Sequence, residues 1–148
     1  MKLKKVAITS LAMVLLSACS TSAPFKSLMA GPCSDKQKQL VNNHINSQVS
    51  AMSKQDWPLA YSFASKSFQE SIDVQSFEVI ITNSYSFLIS NEGLTFGECE
   101  IKEDRIFQEV STISGDTKLT LSYRLSAVDE KLGVEAANLV EQGESLKA

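Results

Sequence analysis

The sequence predicts an α+β domain in which several helices come first and an antiparallel meander of strands follows. Between residues 35 and 88, apolar residues recur with the 3.6-residue period of a helix. After the turn sequence Asn91-Glu92-Gly93 the period changes to two, as in strands with one buried face. Because the helices must bury their apolar faces, we expect them to cover one side of the sheet.

The first predicted helix is the longest and spans residues 35 to about 53. Ser34 or Asp35 can cap it by accepting hydrogen bonds from amides of the first turn. A stripe at helical spacing, interrupted by a single polar residue, gives the helix its apolar face. The stripe consists of Val41, Ile45, Gln48, Val49 and Met52.

Two shorter helices are predicted after it. Asp56 follows the end of the first helix and is interpreted as a turn or cap residue, while Pro58 suits the first turn of the second helix. The apolar face of the second helix comprises Leu59, Ala60, Phe63 and Ala64. The third begins at Asp73, and its apolar residues at helical spacing are Phe77, Ile80, Ile81, Tyr85 and Leu88.

Four strands are predicted over residues 94–101, 105–113, 117–128 and 134–140. The third has the clearest alternation, with Leu119, Leu121, Tyr123 and Leu125 on one face. The fourth has a second interpretation, because Glu135-Ala136-Ala137-Asn138-Leu139 could equally continue as a helix.

The N-terminus has the pattern of a secretory signal. Lys2, Lys4 and Lys5 precede the eleven largely apolar residues 6–16. Such a run lies within the ~7–15 residues of a signal peptide and is well short of the ~20 that span a bilayer. The following Leu16-Ser17-Ala18-Cys19 resembles the lipobox of bacterial lipoproteins. This resemblance implies cleavage before Cys19 and acylation of its thiol.

Three parts of the chain follow from this interpretation. Residues 1–18 are the signal peptide, residues 19–32 the lipidated cysteine and a flexible spacer, and residues 33–148 a single α+β domain. Small and turn-forming residues dominate the spacer. Phe25, Leu28 and Met29 are exceptions that could enter the membrane interface or pack on the domain.

The mature chain is acidic. Cleavage removes three lysines and leaves 11 basic residues against 17 acidic ones, a formal charge of about −6. This balance argues against nucleic acid as a partner and against docking on anionic lipid through the protein surface. Attachment to the membrane is therefore expected through lipid on Cys19 alone.

Cys33 and Cys99 remain once Cys19 is assigned to lipid. In an exported domain two cysteines are most simply a disulfide, which would close a loop of 66 residues. Two free buried thiols and a metal pair are the alternatives. A metal site needs three or four ligands, and the chain has a single histidine, His44.

The helical region also carries a family resemblance. The pattern begins with a set of residues between positions 48 and 68, continues with the helix from Phe77 to Tyr85 and ends with strands only. The set comprises Gln48, Ala51, Asp56, Ala60, Tyr61, Ala64, Ser65 and Phe68. They resemble a bacterial domain-of-unknown-function family of the nuclear transport factor two-like, or cystatin-like, superfamily. The resemblance implies a long helix and shorter helices on a strongly curved sheet, a cone with an apolar pocket. Members of that superfamily include isomerase-like and cyclase-like enzymes and proteins that only bind.

Three residues are candidates to border such a pocket: His44, Asp56 and Tyr85. Each also has a purely structural interpretation, as a half-exposed helix residue, a cap residue and a core aromatic. The sequence contains no phosphate-binding glycine loop, no G-x-S-x-G and no H-E-x-x-H motif. We therefore expect no catalytic residue, metal or cofactor.

These features predict a lipid-anchored protein on the exported side of the cell envelope, most simply a binding or interaction module. Its partner would be an envelope protein or a small apolar ligand. The alternative is a small cone-fold enzyme acting on an apolar molecule. Ser20, rather than aspartate, follows Cys19, so in a cell with two membranes we expect the outer one.

Overall fold

The computed structural model describes residues 23–140, and within them helices precede a five-stranded sheet. The helices are α1 (Asp35–Ser53), α2 (Trp57–Ser62), α3 (Lys66–Ser71), α4 (Val74–Ser84) and α5 (Ser86–Ile89). The strands are β1 (Gly31–Pro32), β2 (Leu94–Lys102), β3 (Arg105–Ser114), β4 (Thr117–Val128) and β5 (Lys131–Leu139). The predicted α+β class is confirmed.

The sheet is an antiparallel meander with its strands in chain order, from β1 to β5. Two register shifts interrupt it. One lies between Phe96 and Cys99 in β2, and the other makes Glu135 an extra residue of β5 opposite Arg124 and Leu125. Such bulges bend a strand and increase its twist. The helices pack against the resulting curved sheet.

The core lies between α1 and the face of the sheet that the helices cover. Val41, Ile45, Val49 and Met52 of the α1 stripe are all buried, as predicted from their spacing. The sheet contributes Ile101, Ile106, Val110, Leu121 and Leu125 to the same cluster. The predicted face of β4 is therefore the face that meets the helices, although Leu119 at its start is only partly buried.

Side-chain caps fix the helix boundaries that the sequence indicated. Ser34 and Gln37 form a reciprocal capping box at the start of α1. Asp56 accepts from the Leu59 amide at the start of α2, and Asp73 accepts from the Ser76 amide at the start of α4. This hydrogen bond lowers the pKa of the Asp73 carboxyl, because it stabilises the charged form.

The helical region differs from the prediction at two places. α3 was not predicted; Ser65 caps it, and the Tyr61 hydroxyl donates to the carbonyls of Gln69 and Ile72 at its end. The third predicted helix stops at Ser84, and Tyr85 leaves helical geometry before α5 begins. At this break the Tyr85 hydroxyl donates to the carbonyl of Ala137 in β5, at 2.8 Å.

The last segment is a strand, and the helical alternative is wrong. β5 begins at Lys131, three residues before the predicted start, and pairs with β4 along its length. Two backbone hydrogen bonds join its outer edge to the segment before α3. The Ser65 amide donates to the Val134 carbonyl, and the Val134 amide donates to the Phe63 carbonyl. Gly133 permits this approach, because a Cβ there would lie 2.5 Å from the Ser65 Cα.

The flexible spacer predicted over residues 19–32 differs from the structure in its second part. Residues 24–32, here called the N-terminal strap, lie against the domain. Phe25 is buried in the core, its amide donates to Glu130, and the Gln37 side chain donates to the Pro24 carbonyl. Gly31 and Pro32 then pair with β2. Leu28 packs partly on the core, whereas Met29 is exposed.

The predicted signal peptide, Cys19 and the start of the spacer lie outside the described residues, as do residues 141–148. Within residues 23–140, none of the helices combines the length and apolar character needed to cross a membrane.

The predicted disulfide between Cys33 and Cys99 is confirmed. Both residues are buried, and their Cα atoms are 5.4 Å apart. The bond joins the end of the strap, just before α1, to the middle of β2. It therefore joins two residues that are 66 positions apart in the sequence.

Candidate functional site

An apolar cavity of about 260 Å³ lies between α1, α4 and the β4–β5 part of the sheet. Ile80 and Asn138 lie at its exposed rim, so the cavity opens to solvent there. The remaining lining is mainly apolar. It includes Met52, Phe68, Ile72, Phe77, Ile81, Leu88 and Val134. A concave, mostly apolar site with a few polar groups is the usual form of a small-molecule pocket.

A small residue on β5 helps to create this space. Ala136 and Ala137 both border the cavity, but Ala137 is the one on its face of the sheet, because it pairs with buried Tyr123 of β4 whereas Ala136 pairs with exposed Arg124. A larger side chain on this face of β5 would occupy the volume below α4. The break after α4 places Tyr85 at the same wall, where it bonds to Ala137.

Gln48 and Tyr123 are lining residues, and each has one polar atom without a hydrogen-bond partner within the described residues: Gln48 Oε1 and Tyr123 Oη. Each of these atoms exposes less than 1 Å², so both lie behind the cavity surface. Gln48 is 2% exposed, and its Nε2 donates to the Ala60 carbonyl at 3.3 Å. Tyr123 is 1% exposed. Leaving a buried polar atom unpaired costs about 1–3 kcal/mol, so each of these atoms requires an explanation.

The ionisable side chains of the lining are Tyr85, Tyr123 and Glu135. Burial, with a further contribution from neighbouring Tyr85, raises the pKa of the Tyr123 hydroxyl and keeps it protonated at neutral pH. The Glu135 carboxylate is held by Arg105 and Arg124, whose Nε atoms lie 3.0 and 3.1 Å from it.

The structure does not bring the three predicted pocket residues together. Tyr85 lines the cavity, but Asp56 is exposed and caps α2. His44 borders a separate surface groove, where its Nε2 donates to the Phe63 carbonyl at 2.9 Å. Its ring meets the Phe63 ring edge-on, with centroids 5.2 Å apart. Asp56 and His44 thus have structural contacts away from the cavity.

The sequence reasoning missed Gln48 and Tyr123 as site residues. Gln48 did carry a signal, because it is the one polar residue in the otherwise apolar stripe of α1. Tyr123 carried none, because its place in the alternation of β4 is equally that of an ordinary core aromatic.

The environment of His44 makes the stability of the domain depend on pH. Burial lowers the pKa of His44 below its ordinary value of about 6.5, with the bond to Phe63 partly opposing this effect. The unfolded chain therefore binds a proton at higher pH than the folded chain. This contribution to stability is full above pH ~6.5 and is lost as the pH falls towards the folded-state pKa.

We expect the free energy of unfolding to fall between pH 7.5 and 5.5, and His44→Gln to reduce this slope. His44 is the single histidine of the chain, and Glu130 is the other titratable residue of its groove. Urea unfolding at each pH measures the free energy of unfolding of the parent chain and of His44→Gln. Equal slopes in the two would show that His44 does not carry the effect.

A comparison with protein families matches residues 34–145 to one described as a domain of unknown function, DUF4864. Searches of curated proteins and of solved structures found no significant match. The matched region covers α1 to β5 and so includes every residue that lines the cavity. The chain therefore belongs to the DUF4864 family of domains of unknown function.

Proposed function

We propose that the protein is a lipid-anchored binding module of the bacterial cell envelope that holds a small, mainly apolar molecule in its cavity. One observation carries the ligand proposal. The structure contains an apolar cavity of about 260 Å³ that opens to solvent beside Ile80 and Asn138. A bound molecule would bury its apolar part against this lining.

The proposed anchor is the acylated Cys19. Its support is the sequence, in which basic residues, an apolar run and Leu16-Ser17-Ala18 precede the cysteine. Two or more acyl chains, as the lipobox resemblance implies, would hold the protein stably on a membrane. In a cell with two membranes we place it on the outer one, on the exported side.

The strap would keep the domain close to that membrane. Because Phe25 is buried, a fixed point on the domain lies only six positions after Cys19 in the sequence. Six extended residues span at most about 21 Å. Phe25 lies beside Glu130 in the β4–β5 turn, so we expect this end of the sheet to face the bilayer.

Binding is favoured over the alternative of a cone-fold enzyme. Acid–base catalysis requires a group that exchanges a proton near the working pH. Among the lining residues, Gln48 does not titrate, and burial raises the pKa of the Tyr123 hydroxyl away from neutral pH. Membership of the nuclear transport factor two-like superfamily stays a prediction, supported by the helices packed on a curved sheet.

The volume of the cavity sets the size of the ligand. At about 30 Å³ for each water-sized group, a cavity of about 260 Å³ holds roughly nine non-hydrogen atoms. Octan-1-ol, with an eight-carbon chain and one hydroxyl, is therefore a suitable probe.

We expect octan-1-ol to bind at one site with a sub-millimolar dissociation constant. In methyl NMR spectra, a titration should shift the signals of Ile72, Ile81 and Leu88, which line the cavity. Ile113 is exposed at the far end of the sheet and serves as the internal control. If no signal shifts, or if shifts at Ile113 equal those of the cavity residues, the binding proposal is wrong.

A further inference from the structure

We propose that the cavity binds a single-chain amphiphile tail first, with the polar head left in solvent at the rim beside Ile80 and Asn138. This inference rests on the proposed function and adds the chemical class of the ligand and its direction in the cavity. Its basis is the contrast between an interior whose polar side chains are covered or already bonded and a rim that carries an exposed amide.

The polar side chains of the interior are poor partners for a head group. Gln48 Oε1 and Tyr123 Oη each expose less than 1 Å², so a bound molecule does not reach them. The Tyr85 hydroxyl already gives its hydrogen to the Ala137 carbonyl, at 2.8 Å. A polar head at this depth would lose its hydration and find no donor in these side chains, which lowers affinity.

The charges around the cavity favour the same direction. Among the described residues that line it, Glu135 is the one charged side chain, and its carboxylate is held by Arg105 and Arg124. An anionic head inside the cavity would therefore lose its hydration without gaining a counter-ion. Outside the rim, water continues to hydrate it.

The rim combines a polar group with the start of an apolar path. Asn138 is exposed there, so its amide can bond a head group that water also reaches. Ile80 is 37% exposed at the same rim, whereas Ile81, the next residue of α4, is 6% exposed and belongs to the core. An alkyl chain that enters past Ile80 towards Ile81 is removed from water, while its head is not.

The volume of the cavity fits a tail and excludes a large head. A glucose head of about 12 non-hydrogen atoms would need about 360 Å³, at about 30 Å³ for each atom. The cavity holds about 260 Å³. n-Octyl β-glucoside can therefore enter in one direction only, with its chain inside and its sugar outside.

The test compares probes that share an eight-carbon chain: octan-1-ol, n-octyl β-glucoside and octane-1,8-diol. The glucoside, used below its micelle concentration, should bind within about threefold of octan-1-ol, because both leave the head outside. The diol must bury one hydroxyl and should bind at least about tenfold more weakly. Isothermal titration calorimetry measures the three dissociation constants on the full chain with Cys19→Ala, in which no acyl chain at this position can compete.

Nuclear Overhauser effects report the direction of the bound glucoside. We expect the terminal methyl group of its chain to show contacts with Ile81, and the methylene next to the sugar to show contacts with Ile80. The reverse pattern would overturn the proposed direction.

A charge placed at the rim tests the position of the head. Asn138→Lys should strengthen the binding of ionised octanoate about threefold, because its carboxylate would lie near the new ammonium group, and should leave the glucoside unchanged. Ile113→Lys is the matched control, because Ile113 is 47% exposed at the far end of the sheet, where salt screens an added charge from the rim. It should change neither affinity. Equal affinity for octanoate with and without Asn138→Lys would overturn the placement of the head.

The outcomes separate this inference from the function on which it rests. If none of the probes binds, the binding function is wrong and the inference falls with it. If octan-1-ol binds but the glucoside does not, the cavity encloses its whole ligand, and entry of the tail alone is wrong. Equal binding of the diol and octan-1-ol would also overturn the inference, because the interior would then accept a hydroxyl.

Discussion

Replacing Cys33 and Cys99 together with alanine should lower the free energy of unfolding by about 4 kcal/mol. The bond closes a loop with a separation of 66 residues, and closing a long loop removes many conformations from the unfolded chain. A loss of this size is a large part of the 5–15 kcal/mol that is usual for a domain.

Urea unfolding of the double variant against the parent chain measures this loss. Cys19→Ala is the matched control, since it removes the third cysteine of the chain but leaves the Cys33–Cys99 bond in place. It should not change the midpoint. A loss below about 1 kcal/mol in the double variant would contradict the stabilising role of the bond.

Phe25→Ala should both destabilise the domain and lengthen its tether. Truncating a buried phenylalanine typically costs about 3–5 kcal/mol, and the loss is capped here by the free energy with which the strap binds the domain. Once Phe25 is released, the free chain would extend from Cys19 to Gly31, where the strap pairs with β2, 12 positions instead of six. We expect the domain to stand roughly 5–10 Å further from the bilayer.

Neutron reflectometry of the lipidated protein on a supported bilayer measures this distance. Met29→Ala is the matched control, because Met29 belongs to the same strap but is 77% exposed. It should change neither stability nor distance. An unchanged distance in Phe25→Ala would contradict the strap as a tether, whereas a protein without acyl mass on Cys19 would contradict the anchor itself.

The main elements of this fold could be predicted because their signals are local. The Ser34 cap and the stripe from Val41 to Met52 define α1 within a few turns of the chain. α3 gave no such signal: none of its residues is buried, and Tyr61 holds its end through hydrogen bonds to Gln69 and Ile72. Its existence depends on contacts that a periodic pattern does not contain.

The family resemblance implied an apolar pocket, and packing of Phe25 on the domain was one of two alternatives for the spacer, but the sequence could not locate either contact. Phe25 bonds to Glu130, 105 residues away, and nothing near Phe25 indicates that contact. The cavity is a volume left beside Ala137 of β5 and beneath α4, so it depends on how far the helices stand from the sheet. The sequence marked one wall of the cavity, through the polar Gln48 in an apolar stripe, but not the space beside it.

Filling the cavity tests the central claim most directly. Ala137→Leu would place a branched side chain where Ala137 now lines the cavity opposite Tyr123, and Ala127→Leu, on β4 and outside the cavity lining, is its control. The measurement is the affinity of both variants for octan-1-ol by methyl NMR. The binding account predicts at least a tenfold loss for Ala137→Leu and an unchanged affinity for Ala127→Leu. Equal affinity in Ala137→Leu and the parent chain, with Ala137→Leu folded, would contradict the cavity as the binding site.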